Sequence, residues 1–405
     1  MPPLPSPADA ERVILSSLPL LPTEHCPLAA AHGRILRAPI HADRDLPPFN
    51  RVTMDGFALR AAAVAAGTRR FRVSGLQAAG MVPQTLVAAT DCIEIATGAI
   101  QPHGADAIIP YEEGRREDEH FVLPDDASVA VGQHLHVRGS DHRAGETLVT
   151  PGTRLSGREI AVAASCGRAF LSVGLRPRVA VVATGDELVE VDAHDIALHQ
   201  VRKSNDYAVR AALLASNAVA QAERFHLRDQ QAEIEQGLHA ILAGFDAVIL
   251  TGGVSRGKFD FVPTALASLG VEKRLQGIAQ RPGKPFWFGL SPRRTPVFAL
   301  PGNPVSTYTC LHRYVLPALA QMSGATPPTP DYVPLANAVS FKPPLAWLPP
   351  VRLSSGPDGR RTAATSALNT SGDFGGLVGT DGFVELPPGP GVFPAGTGVR
   401  FWAWS

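Results

Sequence analysis

The chain lacks the cysteine pattern of a zinc or disulfide framework. Its four cysteines, Cys26, Cys92, Cys166 and Cys310, lie far apart and make no C-x-x-C pair. That excludes the common structural zinc spacings and a disulfide-stapled scaffold, and it points to a reducing compartment, the cytoplasm. Long apolar runs are also missing. Those present are short and broken by Gly and Pro, and none approaches the ~20 residues of a membrane helix. The opening "MPPLPSPADAERVILSSL" has no basic stretch leading into an apolar one, so no secretory signal is expected. Net charge is absent too, since Lys plus Arg and Asp plus Glu both number 37. No global positive field is available to hold nucleic acid or an anionic membrane, so any anion must be met by a local site.

What is present is an ordinary soluble composition, 45% hydrophobic and 18% charged. A chain of 405 residues is long enough for two to four domains with buried cores. Residues 1–50 hold an amphipathic helix, "ADAERVILSSL", and a Pro-rich extended stretch. With 138–177, where "GREIAVAASCG" reads as a helix and "AFLSVG" as a strand, they form an extended linker region. Residues 51–137 read as short strands, "RRFRVSG", "DCIEIATGA" and "ADAIIPYEE", a β-rich domain. From 178 to 325 strand and helix alternate. "RVAVVATG" and "DAVILTGG" are continuous apolar runs ending in Gly, the pattern of buried parallel strands. "QQAEIEQGLHAILAG" is a helix with Asp229 placed to cap it, and "VSTYTCLHRYVLPALAQM" is one long helix. This alternation predicts a doubly wound α/β sheet. Residues 326–405 are strand-like and rich in Pro and Gly, a small β-barrel or sandwich.

Three strands of the α/β region end in chemically loaded loops: "TGDEL", "TGGVSRGKFD" and "LPGNPVS". In open α/β sheets, ligands bind outside the carboxyl ends of the strands. Gly252, Gly257 and Lys258 have the spacing of a Walker A loop, but Phe259 stands where that loop needs a magnesium-binding hydroxyl. Glycines let backbone N–H groups approach phosphate oxygens. The carboxylates of Asp186, Glu187 and Asp260 beside such a site call for a divalent cation between them and the phosphates. Each piece also has a plainer reading. Gly252-Gly253 makes a tight turn, Asp260 caps the following helix, "PGNP" is turn chemistry, and Asp186-Glu187 are first-turn acids of a helix. Co-location at three strand ends favours a metal-assisted site for a phosphorylated ligand.

Seven segments in order, "PPFNRVTMDGFALR", "ATGAIQPHGADAIIPYEE", "RGSDHRAGETLV", "VVATGDEL", "LTGGVSRGKFDFVPTAL", "QRPGKPFWFG" and "ALPGNPVSTY", resemble the molybdopterin molybdenumtransferases, the MoeA family that includes the gephyrin E domain. The resemblance implies a molybdopterin-binding α/β domain. It also implies an enzyme that takes adenylylated molybdopterin and molybdate, cleaves the pyrophosphate link with Mg2+ or another divalent cation, and releases AMP. The glycine loop would then serve a pterin pyrophosphate rather than a nucleoside triphosphate. The implied partners are a second copy of the chain, the molybdopterin adenylyltransferase and cofactor-accepting proteins.

Carried over residue by residue, the resemblance gives Asp55, Thr97, Asp186, Glu187 and Asp260 catalytic roles. Asp55 and Thr97 would act toward the other subunit, and Glu187 and Asp260 would be metal ligands. Asp141, Asn205, Asp229, Gly252, Gly253, Ser255, Pro301, Gly302 and Asn303 fall at substrate-binding positions. Arg281, Lys284 and Ser306, completed by Arg352 and Ser371, fit the molybdate oxyanion. The chain departs from the family in places. Arg281 replaces the first Lys of "KPGK", which keeps the charge as a planar fork. Gly277 stands where some relatives carry another lysine, Lys258 stands where some have Glu, and "SNDY" replaces Asp-Thr-Asn. Two other functions share features with this reading. One is a molybdopterin adenylyltransferase or nucleotide-pyrophosphate hydrolase of the same fold, against which the first two domains argue. The other is a scaffold, which would need gephyrin's additional domain.

Overall fold

The computed structural model describes residues 3–253, 261–367, 370–389 and 391–404. The chain divides into two compact units. Met1–Ala38, Pro151–Ile160 and Phe170–Ser405 form one, and Pro39–Thr150 with Ala161–Ala169 form the other.

The first unit is built on an α/β sheet. Its elements are β1 (Arg178–Thr184), α1 (Asn205–Ala215), β2 (Gln221–Leu227), α2 (Gln231–Gly244), β3 (Ala247–Thr251), α3 (Val262–Ser268), β4 (Glu272–Gln276), β5 (Trp287–Leu290), β6 (Pro296–Leu300) and α4 (Pro304–Cys310). The strand order is β2-β1-β3-β6-β5-β4. The first four strands are parallel, and β5 and β4 are antiparallel additions at the edge. Val179 to Val182 and Ala247 to Leu250 are each fully buried, as strands covered on both faces must be. Successive side chains alternate between two cores. Val179, Val181 and Ile249 pack with Val209, Leu213 and Tyr314, while Ala180, Val182 and Val248 pack with Ile234, Leu238 and Val262. The chain leaves β1 for β2 on one side and returns to β3 on the other. The strand order therefore reverses between β1 and β3, the place where an open α/β sheet offers a crevice.

The long helix expected after β6 is interrupted. α4 passes into a π-helical turn at Leu311–Val315 and then a helix at Leu316–Met322. Pro317 has no N–H to continue the ladder, so the preceding turn must adjust. Arg313 in this turn is fully buried, 2.7 Å from Glu385 and 3.1 Å from Glu11 of the N-terminal helix Pro7–Ser17.

The C-terminal segment is an antiparallel sheet in the order Asp331–Pro334, Gly398–Ala403, Gly382–Glu385, Pro350–Ser355, Arg361–Thr365. Val333, Val351, Val384 and Phe401 fill its core. A short parallel pair, Gln280–Arg281 with Ala346–Trp347, ties this segment to the α/β sheet.

The second unit is a six-stranded sheet in the order Ala107–Pro110, Gly56–Leu59, Asp91–Ile95, Arg70–Gln77, His120–Val122, Arg115–Glu117. Phe57 and Phe121 stack at 4.1 Å in the core on one side, and Ala58, Ile93, Ile95 and Ile108 form the core on the other. Among the described residues no helix is long and apolar enough to cross a membrane.

Candidate functional site

Loops from three parallel strands meet at the switch point. Gly252 and Gly253 follow β3 with φ of +97° and +67°, values an L side chain rarely adopts. A Cβ on Gly253 would lie 2.8 Å from Thr184 Oγ1 at the end of β1, so the turn is kept bare against that strand. A Cβ on Gly302, which follows β6, would lie 3.8 Å from the Gly252 Cα. Asn205, the first residue of α1, donates its Nδ2–H to the Gly302 carbonyl at 2.7 Å. Gly252, Gly253, Gly302 and Asn205 therefore belong to one cluster. Two polar atoms in it, Thr184 Oγ1 and Asn205 Oδ1, are buried with no hydrogen-bond partner among the described residues. Buried polar groups are nearly always paired, so orphans at a crevice mark where a ligand's polar groups belong. Thr184 was not among the expected site residues, although it closes the apolar strand and opens the loop "TGDEL".

One end of this cluster is acidic. Asp186 and Glu187 leave β1 exposed, and no helix follows them, so they are not first-turn acids; short strands at Leu188–Val189 and Val201–Arg202 come next. Asp229 does not cap α2 as expected. Gln230 occupies that position, and the Asp229 backbone N–H instead donates to Asp186 Oδ1 at 3.1 Å. Burial raises the Asp229 carboxyl above its ordinary range, and the charges of Asp186 and Glu187 raise it further. Three crowded carboxylates suit a hard divalent cation in donor chemistry. Even so, among the described residues no three His, Cys, Asp or Glu side chains converge to hold one. Glu187, one of the two expected metal ligands, is exposed in this segment. Asp260, Ser255 and Lys258 lie outside the described residues.

The other end is basic. A cavity of about 690 Å³ opens beyond Pro301 and Asn303, lined on its polar side by Arg281, Lys284, Ser306 and Ser371. Asn303 Nδ2–H donates to Ser371 Oγ at 2.8 Å, and the Val305 N–H donates to the Ser371 carbonyl at 3.1 Å, tying the β6 loop to the C-terminal segment. Arg281 and Lys284 are exposed to the cavity, and neither forms an ion pair among the described residues. Ser306 is buried on α4. Arg352 does not line the cavity; its guanidinium lies toward Gly379, where a Cβ would meet Nη2 at 3.5 Å.

In the second unit, Asp55 and Thr97 are brought together by strand register. Gly56 pairs with Ile95, and just beyond that pair the Thr97 N–H donates to Asp55 Oδ1 at 2.7 Å. The backbone and side-chain hydrogen bonds from Thr97 hold the Asp55 carboxyl below its ordinary range. Asp141 sits 2.8 Å from His136 Nε2.

Residues 5–167 match the MoeA N-terminal region (domain I and II), 180–321 a probable molybdopterin binding domain, and 332–404 the MoeA C-terminal region (domain IV). The chain is 36% identical over 375 residues to a molybdopterin molybdenumtransferase of Synechocystis, covering 92% of this chain and 93% of that one. It is 30% identical over 372 residues to one from Staphylococcus epidermidis, covering 90% and 87%. Among solved structures it is similar to a molybdopterin biosynthesis MoeA protein from Pyrococcus horikosii, with a TM-score of 0.80 at 26% identity and both chains fully covered.

Proposed function

We propose, for a chain that belongs to the MoeA family of molybdopterin molybdenumtransferases, that it inserts molybdate into adenylylated molybdopterin and releases AMP. The observation that carries this reading is the polarity of the site: carboxylates at one end, cations with no ion-pair partner among the described residues at the other, and bare glycine loops between them. A pyrophosphate fits along the glycine loops, where backbone N–H groups can approach its oxygens. Arg281 and Lys284 neutralise the molybdate dianion, and Ser306 and Ser371 offer it hydroxyl donors. Asn205 Oδ1 is an amide oxygen and accepts, and the Nδ2–H bond to the Gly302 carbonyl fixes which way the amide faces, so Oδ1 reads a donor on the substrate. A divalent cation beside Asp186 and Glu187 would neutralise the pyrophosphate charge as the link is broken.

Further parts of this reading are a homodimer, a cytoplasmic location, and exchange with the adenylylating enzyme and cofactor-accepting proteins. Asp55, Thr97, Asp141, Asp260 and Ser255 are assigned to it by the family resemblance. The four-part division into 1–50 with 138–177, 51–137, 178–325 and 326–405 also belongs to it. Turnover tests the activity: adenylylated molybdopterin, molybdate and Mg2+ should yield AMP and a cofactor that activates a molybdenum-dependent apoenzyme. Absence of molybdate-dependent AMP release from the folded protein would refute it. Sedimentation tests the dimer, which should have twice the 42.7 kDa chain mass; a species of single chain mass at micromolar concentration would refute it.

A further inference from the structure

The cavity beyond Asn303 has a wall that oxyanion binding leaves unexplained. Besides its cations it is lined by Phe341, Leu345, Trp347, Pro349 and Pro350. Phe341 and Trp347 are stacked on each other, with ring centroids 5.0 Å apart and planes 8° from parallel. Both remain only half-buried. A large, flat, apolar surface inside a cavity is the usual lining of a small-molecule site, and about 690 Å³ lies within the ~300–1,000 Å³ of such sites.

Trp347 is held firmly. Its N–H donates to the Leu386 carbonyl at 2.8 Å, and the Leu386 N–H donates back at 2.9 Å. On its other side it is the register partner of Arg281 in the short parallel pair, and the Leu348 N–H donates to the Arg281 carbonyl at 2.8 Å. Register partners project from the same face of a sheet. The indole and the guanidinium therefore emerge side by side, fixed by backbone pairing. Because the two rings are already stacked, the surface need not be ordered when a ligand arrives.

Resting on the pterin substrate proposed above, we propose that Trp347, backed by Phe341, is the surface on which the substrate's pterin ring stacks beside the oxyanion site. The substrate carries two flat heteroaromatic rings, pterin and adenine, and both have the chemistry to stack on an indole. The pterin half is the one that receives molybdate. The ring adjoining Arg281 is therefore the pterin, and the adenine lies beyond the pyrophosphate. Trp347 is a positioning residue: it sets where the pterin half rests relative to Arg281 and takes no part in bond making.

The test needs no turnover. Wild-type protein is titrated with pterin-6-carboxylate and, separately, with AMP, by calorimetry and by tryptophan fluorescence. Pterin is expected to bind and to quench the emission. Trp347→Ala should weaken pterin binding about tenfold or more, the scale of one lost ring-on-ring stack, and leave AMP binding unchanged. Trp347→Phe should restore most of the affinity. If Trp347→Ala melts early, Trp347→Leu, which keeps apolar volume without a ring, should show the same loss. Wild-type affinity for pterin in the ringless variants, no pterin binding by the wild type, or a loss confined to AMP would each overturn the proposal. These outcomes are separate from the activity reading, which stands or falls on AMP release by the wild type.

Discussion

Replacing Arg281 tests whether the basic end of the site holds the oxyanion. Arg281 and Lys284 line one cavity and have no ion-pair partner among the described residues. Their charge is therefore available to a ligand. A unit charge about 4 Å from another is worth ~4 kcal/mol at an effective dielectric of 20. Arg281 is exposed, so water and salt remove most of that. Keeping about a third leaves ~1.4 kcal/mol, a tenfold change in affinity. Arg281→Ala should accordingly raise the molybdate concentration for half-maximal AMP release about tenfold, with the half-saturation for adenylylated molybdopterin little changed. Arg281→Lys should be milder, because it keeps the charge and loses only the planar fork. Raising the salt concentration should shift the wild type more than Arg281→Ala, which has less charge to screen. Arg360→Ala, at an exposed turn outside the cavity, is the control. An unchanged molybdate half-saturation in folded Arg281→Ala, or an equal rise in the control, would remove Arg281 from the oxyanion site.

Three further outcomes follow from the same structure. Asp229 has a raised folded-state pKa, so its stabilising contribution is present at low pH and is lost as pH rises through that value. Asp229→Asn should therefore raise the melting temperature at neutral pH and not below the ordinary aspartate range; equal effects at both would contradict the assignment. Asn303 and Ser371 share one hydrogen bond, so Asn303→Ala and Ser371→Ala should each cost ~1 kcal/mol and the double variant little more than either alone. Strictly additive losses in chemical denaturation would mean that the bond contributes nothing. Glu385→Ala leaves the fully buried Arg313 with Glu11 as its remaining carboxylate among the described residues and should cost about 3 kcal/mol, whereas a loss under ~1 kcal/mol would show that Glu11 and the neighbouring Trp402 ring suffice.

The parallel sheet was legible because its strands are buried on both faces. Nothing but apolar residues is tolerated from Val179 to Val182 or from Ala247 to Leu250, and that leaves a continuous signal in the sequence. The loops at its carboxyl edge were legible by topology: once the strands are parallel, their ends must share an edge, and Gly252, Gly302 and Asn205 do meet there. Features decided by competition between neighbours were less visible. Asp229 has the chemistry of a cap, yet its backbone is committed to Asp186 and the cap position falls to Gln230. The helix through Leu311–Val315 looked continuous, because a π-helical turn ahead of Pro317 leaves the apolar pattern intact. Least visible was the pairing of Arg281 with Trp347. A two-residue parallel strand has no periodicity to read, and "FKPPLAWLPP" gives no local reason to meet "QRPGKP". That pairing places a cation and an aromatic platform side by side. The two cations proposed for the oxyanion, Arg281 and Lys284, thus stand together in one short stretch of sequence, whereas the shape that would recognise a flat ring arises only when the C-terminal segment folds back onto the α/β sheet.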